Sequence, residues 1–348
     1  MTTPDAPALA CPVPLPPGES VLLGHGSGGK LTADLIRSVF VPAFGDGELA
    51  RLGDAAVVEV EGVRLAFTTD GFVVTPRFFP GSDIGALSVN GTVNDLAMMG
   101  ATPLFLSAGL ILEEGLPMED LRRVVASMAE ACRKAGVRLV TGDTKVVERG
   151  GADGLYVTTA GLGVVPDGVD VGPERAQPGD AVLVSGPIGS HGVAVMSRRA
   201  GIEFDGALHS DTAPLTGLAH AMITAGDLHT MRDATRGGVA SVLNEIAEAS
   251  GVGITTDESA FPILDPVRAA CEMLGLDPLY VANEGVCVAV VAGADAGAVL
   301  AAARADPMGS AAAMVGTVEE GRGVRVRTDL GGSRPLVMLA GDQLPRIC

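Results

Sequence analysis

Residues 68–103, TTDGFVVTPRFFPGSDIGALSVNGTVNDLAMMGATP, contain the features from which we predict the fold. The segment begins at the end of an apolar strand, VRLAFTTD, passes through a Pro- and Gly-rich stretch, and continues as a helical pattern over residues 83–99. A second strand, AAVVEVEG, comes before it, with residues 61–62 as a hairpin turn. A buried strand, PLFLSAGLIL, follows it. Antiparallel strands around a long helix indicate an α+β protein with α/β layers rather than a strictly alternating βαβ fold.

Further helix and strand patterns complete a first half of the chain, and a second set begins after a linker. A helix is predicted at 118–136, and strands at 137–143 and 154–165. The segment VPDGVDVGPERAQPGD, at 165–180, is typical of a linker, and a new set of strands and helices begins with AVLVSG. We therefore predict four regions. They are a flexible Pro-rich N-terminus at 1–20, an N-terminal domain at 21–168, a C-terminal α/β domain at 169–330, and a mobile tail at 331–348.

The composition excludes several classes of function. The net charge is −18, from 42 acidic and 24 basic residues, which argues against a nucleic-acid partner because such proteins need a basic face. Neither a long uninterrupted apolar run nor a basic signal-peptide start is present, so we expect a cytoplasmic protein with no membrane partner. The five cysteines are widely separated, without a CxxC pair, which makes a zinc site or a disulfide scaffold unexpected.

Four aspartates of the first half each end an apolar run. They are Asp54, Asp70, Asp95 and Asp143. Burying carboxylates without partners is unfavourable, and several that converge usually hold a cation; oxygen ligands of this kind suit Mg²⁺ bridging to phosphate. The alternative is that each is a helix cap or a turn residue. Lys145 is a candidate for neutralising phosphate charge or for proton transfer, or else an exposed lysine at a strand end.

A Gly-rich segment, GHGSGGKL at 24–31, matches the first seven positions of a P-loop. Leu31 stands where a P-loop has the Ser or Thr that binds Mg²⁺, so we do not predict a P-loop. A flap that closes over a ligand through Gly26, Gly28 and Gly29 fits the segment better, with a plain flexible loop as the alternative.

Two motifs of the second half also contain candidate site residues. RDATRGGVA, at 232–240, places two arginines and two glycines at a helix start, an arrangement suited to an anion. Glu284, in ANEGVCVAV, precedes a buried strand and is either a general base or a surface-turn residue. His191 lies in a Gly-containing loop and is a candidate for lining a ligand.

The chain ends GDQLPRIC, at 341–348, so that its last side chain is the Cys348 thiol. Thiols are strong nucleophiles when they ionise. Extended, the 18 residues from 331 on would reach about 60 Å, which is enough to enter a cleft or to reach a partner. The cysteine is therefore either incidental or delivered by the tail to a site.

Taken together, these stretches, and above all GDTKVV combined with the terminal PRIC, resemble the HypE family, the carbamoyl dehydratases of [NiFe]-hydrogenase maturation. The resemblance covers residues 24–348. It places the chain beside aminoimidazole ribonucleotide synthetase, selenophosphate synthetase and thiamine monophosphate kinase. It implies a two-domain PurM-like fold in which the N-terminal domains form a β-barrel across a homodimer. It also implies an ATP site in a cleft shared with the partner subunit.

The resemblance further implies a reaction. A carbamoyltransferase, HypF, loads a carbamoyl group onto Cys348; ATP then phosphorylates the carbamoyl oxygen, and loss of phosphate leaves a thiocyanate. The HypC–HypD complex accepts the cyanide. Lys145 and Glu284 become candidates beside the thiocarbamate, and the remaining predicted site residues would bind ATP and Mg²⁺: Asp54, Asp70, Asn94, Asp95, Gly142 and Asp143, with the flap residues Gly26, Gly28 and Gly29.

Two alternatives stay open from the sequence. A sister synthetase of the selenophosphate type would need a reactive cysteine near the Gly-rich segment, but GHGSGGK has none and Cys11 lies well upstream. A non-catalytic thiol carrier would hold a group on Cys348 without hydrolysing ATP, and it would leave the four aspartates without a role.

Overall fold

Two β-sheets, of five and seven strands, organise the two halves of the chain. The computed structural model describes residues 20–45, 47–202, 208–339, 341, 344 and 346–348. The Pro-rich N-terminus predicted at 1–20 therefore lies outside the described residues, apart from Ser20.

The five-stranded sheet belongs to the first half and has the order β1-β2-β7-β5-β6. All its neighbours are antiparallel except β5 and β6, which are parallel. Glu61 and Gly62 have φ of 51° and 81° and form the predicted hairpin turn, because two left-handed residues match the twist of the paired strands. The strands of this half, including a short two-residue pair, are β1 (Ala56–Val60), β2 (Val63–Phe72), β3 (Phe78–Phe79), β4 (Ser82–Asp83), β5 (Thr102–Glu113), β6 (Arg138–Val147) and β7 (Leu155–Val164).

The helix α3 (Ile84–Met98) is the central element of the fold. Asp83 caps it, with Oδ1 accepting the N–H groups of Gly85 at 2.8 Å and Ala86 at 3.1 Å. Almost every residue of α3 is buried, since the helix packs on the first sheet, on α4 and on the second half. This half also contains α1 (Lys30–Leu35), a π-helical turn (Ile36–Phe40), α2 (Val41–Phe44) and α4 (Met118–Ala135). The predictions of a helix at 83–99 and of one ending at Gly136 are confirmed.

The seven-stranded sheet has the order β14-β13-β10-β12-β8-β11-β9. Strand β11, the last but one in this order, is buried along its whole length, as the apolar run around Cys287 predicts. The strands are β8 (Ala181–Val184), β9 (Leu228–Asp233), β10 (Gly253–Asp257), β11 (Cys287–Val291), β12 (Ala313–Glu319), β13 (Gly323–Arg327) and β14 (Ser333–Leu336). The helices are α5 (Ser190–Ala200), α6 (Thr216–Ala225), α7 (Gly238–Ser250), α8 (Asp265–Leu274) and α9 (Ala296–Ala305).

The structure differs from the prediction at two elements. Strand β9 lies in a segment, LHTMRD, for which we predict no strand. The mobile tail predicted at 331–348 is corrected at its start, because β14 pairs antiparallel with β13. The reason is packing: Leu336 is buried in the core of the second half, so this part of the segment is held by apolar burial as well as by the strand ladder.

A pair of glycine substitutions tests the close approach of α3 to α4. A Cβ at Gly85 would press against the Val124 carbonyl oxygen, whereas Gly297, exposed in α9, faces open space. We expect Gly85→Ala to lower the free energy of unfolding by about 1–3 kcal/mol through overpacking. Gly297→Ala should raise it by about 0.5–1 kcal/mol, since alanine restricts the unfolded chain more than glycine does. Urea unfolding measures both, and equal effects of the two changes would contradict the packing described here.

Candidate active site

Three aspartates from distant parts of the chain meet where α3 faces β9. One carboxylate oxygen from each of Asp54, Asp95 and Asp233 lies within 4.8 Å of the other two. Asp54 precedes β1, Asp95 lies in α3 and Asp233 ends β9, so the fold brings together residues that are remote in sequence. We call these three residues the acidic cluster.

The acidic cluster has a few fixed partners within the protein. Arg232 donates from Nη2 to Asp54 Oδ1 at 2.8 Å, and its Nη1 lies 3.1 Å from Glu245 Oε2. The hydroxyl of Thr68 lies 2.8 Å from Asp95 Oδ2 and 3.0 Å from the Asp54 carbonyl oxygen. The second oxygen of Asp54, Oδ2, is buried and has no hydrogen-bond partner among the described residues.

Electrostatics make the acidic cluster a candidate cation site. Burial raises the pKa of Asp54, Asp95 and Asp233, and the negative charges of neighbouring aspartates raise the pKa of Asp95 and Asp233 further. A divalent cation would relieve both effects. Three carboxylates and the unpartnered Asp54 oxygen suit Mg²⁺, and their spacing leaves room for an ion that keeps part of its water shell.

Asp70 and Arg236 lie in the same charged region. Burial raises the pKa of the Asp70 carboxyl, and the positive charge of Arg236 partly offsets this effect. Helix α3 approaches closely at Gly91, where an added Cβ would lie 3.4 Å from Asp70 Oδ2. Asp70 thus faces α3 close to the acidic cluster, but its oxygens are not among the three that lie within 4.8 Å of one another.

Glu284 is buried in the loop before β11, among other acidic side chains. Burial raises its pKa well above the usual range, and the charges of Asp233, Asp70 and Asp211 raise it further. The Glu284 N–H donates to Asp211 Oδ1 at 2.8 Å, and Asp211 is itself buried, with a pKa raised to about 7. Of the two alternatives that the sequence leaves open, a surface turn does not fit this position.

Asn94, predicted to contact the nucleotide, has another set of contacts. Its Nδ2 donates to the carbonyl oxygens of Ala213 at 3.0 Å and Glu284 at 3.3 Å, and its Oδ1 accepts the Leu215 N–H at 2.8 Å. The amide group is therefore engaged by backbone groups of the second half. It holds the Glu284 loop against α3, so the structure gives Asn94 a positioning contact.

Gly142, Asp143 and Lys145 lie on β6, at the edge of the first sheet. Asp143 and Lys145 are exposed and form an ion pair with each other; this pair and the Thr144 N–H lower the pKa of Asp143. The structure does not bring Asp143 into the acidic cluster within one chain, although the sequence predicts one metal site that contains Asp143 together with Asp54 and Asp95.

The Gly-rich segment lies against Arg236 and the segment after β14. Arg236 donates from Nη1 to the Gly26 carbonyl oxygen at 2.7 Å, and the Lys30 N–H donates to the Leu339 carbonyl oxygen at 3.0 Å. Side chains at Gly28 or Gly29 would collide with Arg236 or Leu339, so glycine is required here by close approach.

The end of the chain is packed against the protein. The Cys348 carbonyl oxygen accepts the Val73 N–H at 3.0 Å, and Ile347 is buried in the core that α3 shares with α5 and α8. Negative charge at Cys348 is the largest influence raising the pKa of Arg236, which also faces Asp70 and Glu284. Cys348 is therefore held within electrostatic reach of Arg236.

Comparison with known proteins shows to which family the chain belongs. Residues 52–165 match the AIR synthase related protein N-terminal domain, and residues 177–329 match its C-terminal domain. A carbamoyl dehydratase HypE from Rhizobium leguminosarum bv. viciae is 54% identical over 330 residues, which are 94% of each chain. The chain belongs to the HypE family. The predicted resemblance and two-domain α+β fold are thereby confirmed.

Two solved structures of HypE proteins superpose on the chain. One is a HypE–HypF complex, with a TM-score of 0.84 and 47% identity over 88% of this chain and 99% of that one. The other is a HypE in complex with ATP, with a TM-score of 0.80 and 46% identity over 94% and 100%. None of the described helices is both long and apolar enough to cross a membrane.

Sequence reasoning missed two acidic residues of this region, Asp233 and Asp211, and gave Arg232 a different role. Arg232 pairs with Asp54 and Glu245, whereas the sequence indicates an anion-binding helix start. For Asp233 the available signal was an aspartate that ends an apolar run, LHTMRD. Asp211 follows no strand and precedes no helix directly. Nothing local to its sequence indicates that it would hold Glu284.

Arg232 provides a test of the electrostatics. Arg232→Met leaves the buried Asp54 without its ion partner and should lower the free energy of unfolding by about 3–5 kcal/mol in the absence of divalent cations. Adding Asp54→Asn removes the unpaired charge, so the double variant should lose less stability than Arg232→Met alone. Urea unfolding of the two single variants and the double variant measures the coupling. A double variant as unstable as the sum of the singles would contradict the pairing.

Proposed function

We propose that the chain uses ATP to dehydrate a carbamoyl group on the Cys348 thiol to a thiocyanate. The observation that carries this proposal is the packing of the chain end, which holds Cys348 within electrostatic reach of Arg236, whose pKa the charges of Asp70 and Glu284 also raise. A carrier that only stored a group on its thiol would need neither a buried base nor a buried acidic cluster beside it.

The reaction balances in two steps. The γ-phosphoryl group of ATP moves to the carbamoyl oxygen of S–C(=O)–NH₂, one N–H proton is lost, and ADP leaves. The remaining N–H proton is then lost as the C–O bond breaks, which releases phosphate and leaves S–C≡N. Phosphorylation is needed because an amide oxygen is a poor leaving group, whereas phosphate leaves readily.

The acidic cluster and Asp70 are the residues that would hold Mg²⁺ and the ATP phosphates. A bound cation offsets charge on the phosphoryl group during transfer. Arg236 faces both this region and Cys348, which suits it to neutralise negative charge between them. Gly26 O accepts a hydrogen bond from Arg236, and Gly28 and Gly29 lie close to Arg236 and Leu339; these three glycines would cover the nucleotide as a flap.

Glu284 is our candidate for the base that removes the second N–H proton. Its burial and acidic neighbours raise its pKa, which makes the ionised carboxylate a stronger base, and Asp211 and Asn94 hold its backbone. Lys145 would act on the same thiocarbamate from β6 of a partner subunit.

The partners follow from the chemistry and from the relatives. A thiol needs a carbamoyl donor, and one HypE relative forms a complex with HypF, so we propose HypF as the donor. We propose the HypC–HypD complex as the acceptor of cyanide, in the cytoplasm, where these maturation steps would occur.

A homodimer would complete the site. In the isolated chain β6 is an open sheet edge with apolar side chains exposed: Leu139, Val140 and Val146 are 48%, 56% and 67% accessible. Such an edge needs cover. Pairing of the first sheets of two copies into a β-barrel would bury it and would bring Asp143 and Lys145 of one subunit towards the acidic cluster of the other.

The central test of the proposal is a mass measurement on the peptide that contains Cys348. After incubation with HypF, carbamoyl phosphate and Mg-ATP, the wild-type peptide should gain a carbamoyl group and then lose one water. Cys348→Ala should show neither change. Asp233→Asn should stop at the carbamoyl stage, because the cation site is impaired, while the exposed Asp167→Asn serves as a matched control with wild-type yield.

A stable carbamoyl group on wild-type protein with ATP present would overturn the proposed reaction, because it would indicate a thiol carrier. Wild-type dehydration by Asp233→Asn would overturn the assignment of the acidic cluster as the cation site.

Sharing of the site between subunits is tested by complementation. Asp143→Asn and Asp95→Asn should each abolish ATP turnover. When the two are mixed in equal amounts and allowed to exchange subunits, half of the dimers should contain one intact site, so that activity returns to about a quarter of the wild-type value. Absence of any recovery, with exchange verified by mass, would contradict a shared site.

A further inference from the structure

The last three residues of the chain are bound through every one of their backbone carbonyl oxygens. Arg346 O accepts from Thr75 N–H at 3.3 Å and from Arg199 Nη2 at 3.0 Å. Ile347 O accepts from His191 Nε2 at 2.9 Å, and Cys348 O accepts from Val73 N–H at 3.0 Å. These donors, at residues 73, 75, 191 and 199, form what we call the tail groove.

His191 is the buried member of the tail groove. Its side chain has no solvent-accessible surface, and its ring packs edge-on against Phe79, with centroids 5.4 Å apart. Because a carbonyl oxygen can only accept, Nε2 bears the proton given to Ile347, and Nδ1 accepts from the Ser210 hydroxyl at 2.8 Å. Burial lowers the pKa of His191 to about 4, so the ring is neutral at physiological pH.

The tail groove also recognises side chains. Ile347 and Leu344 are 2% and 3% accessible and pack in the core with residues of α5 and α8. Arg346 has φ of 54°, and its guanidinium donates from Nε to Val73 O at 3.0 Å and pairs from Nη2 with Asp153 Oδ2 at 2.8 Å. The groove therefore binds a peptide segment, residues 346–348 of the same chain. It does so through buried apolar side chains, an ion pair and hydrogen bonds to the backbone.

The bond made by His191 has a particular geometric consequence. The Ile347 carbonyl belongs to the peptide unit that joins Ile347 to Cys348, and that unit is planar. Fixing this carbonyl oxygen therefore fixes the plane from which Cys348 Cα extends. The Val73 N–H holds the other side of the same residue, so rotation about χ1 is the main freedom left to the thiol.

The partner of His191 is linked to the candidate base. The Ser210 hydroxyl bonds to His191 Nδ1, and the carboxylate of the next residue, Asp211, accepts the Glu284 N–H. The Ser210 N–H donates to the Pro80 carbonyl oxygen at 2.8 Å, which fixes the loop to the first half. One short loop thus supports both the residue that holds the tail and the residue proposed to take the proton.

We propose that His191 is a positioning residue which, through its hydrogen bond to Ile347 O, keeps the tail in its groove and sets the orientation of the Cys348 thiol. The inference rests on the proposed function for its purpose, since it supplies the substrate-bearing residue to that site. The contacts that the structure gives for the His191 ring are with Ile347, Ser210 and Phe79.

The experiment compares three full-length proteins: wild type, His191→Ala and His191→Gln. Gln places an amide N–H close to the position of Nε2 and keeps the donor, whereas Ala removes it. The primary readout is the rate at which iodoacetamide alkylates Cys348 in the folded protein, followed by the mass of the C-terminal peptide. Losing one buried hydrogen bond should accelerate alkylation about fivefold or more in His191→Ala. His191→Gln should stay near the wild-type rate.

The kinetic readout separates positioning from a general structural effect. In His191→Ala the kcat for dehydration should fall while the KM for ATP stays unchanged, because the nucleotide site is intact; His191→Gln should recover most of kcat. Equal alkylation rates for wild type and His191→Ala would overturn the proposal. So would equal behaviour of the Ala and Gln variants.

Variants outside the core keep the test valid if His191→Ala folds poorly. Arg199 is exposed at the end of α5 and donates to Arg346 O, so Arg199→Ala should also raise the alkylation rate of Cys348. Arg198, exposed beside it, is the matched control, and Arg198→Ala should react at the wild-type rate. Alkylation needs no ATP, so a protein without dehydratase activity would refute the proposed function while leaving the result on the groove intact.

Discussion

The burial of several carboxylates in one region is the constraint on which the rest of the structure depends. Asp54, Asp95 and Asp233 have oxygens within 4.8 Å of one another, and burial raises the pKa of all three. Such a group is unfavourable without positive charge nearby. Arg232 pairs with Asp54 through Nη2, but its Nη1 pairs with Glu245, which lies outside the acidic cluster. The described residues therefore neutralise the negative charge of the cluster only in part. A divalent cation would supply the missing positive charge.

The chain end and the Gly-rich segment both lie close to Arg236, in the charged region next to the acidic cluster. Arg236 connects them, because it donates to Gly26 O and responds to the charge at Cys348. The backbone of Leu339 contacts the Gly-rich segment, and the last three residues lie in the tail groove. The Gly-rich segment therefore rests in part on the segment that leads from β14 to the end of the chain.

Local sequence patterns predicted what depends on local physics. The hairpin at Glu61-Gly62, the capped helix α3 and the strand-end aspartates all follow from turn chemistry, capping and burial. Asp143 has the same local pattern as Asp54, and only the strand order shows that it lies on an exposed edge. The contact of His191 with Ile347 spans 156 residues, so no local signal predicts it.

The most direct test of a cation-dependent acidic cluster is the free energy of unfolding as a function of Mg²⁺ concentration. A cation that binds only the folded protein should raise this free energy logarithmically once its concentration exceeds the dissociation constant. We expect this rise for wild type and for Asp167→Asn, and we expect it to be lost in Asp233→Asn. No rise in wild type, or the same rise in Asp233→Asn, would contradict the account.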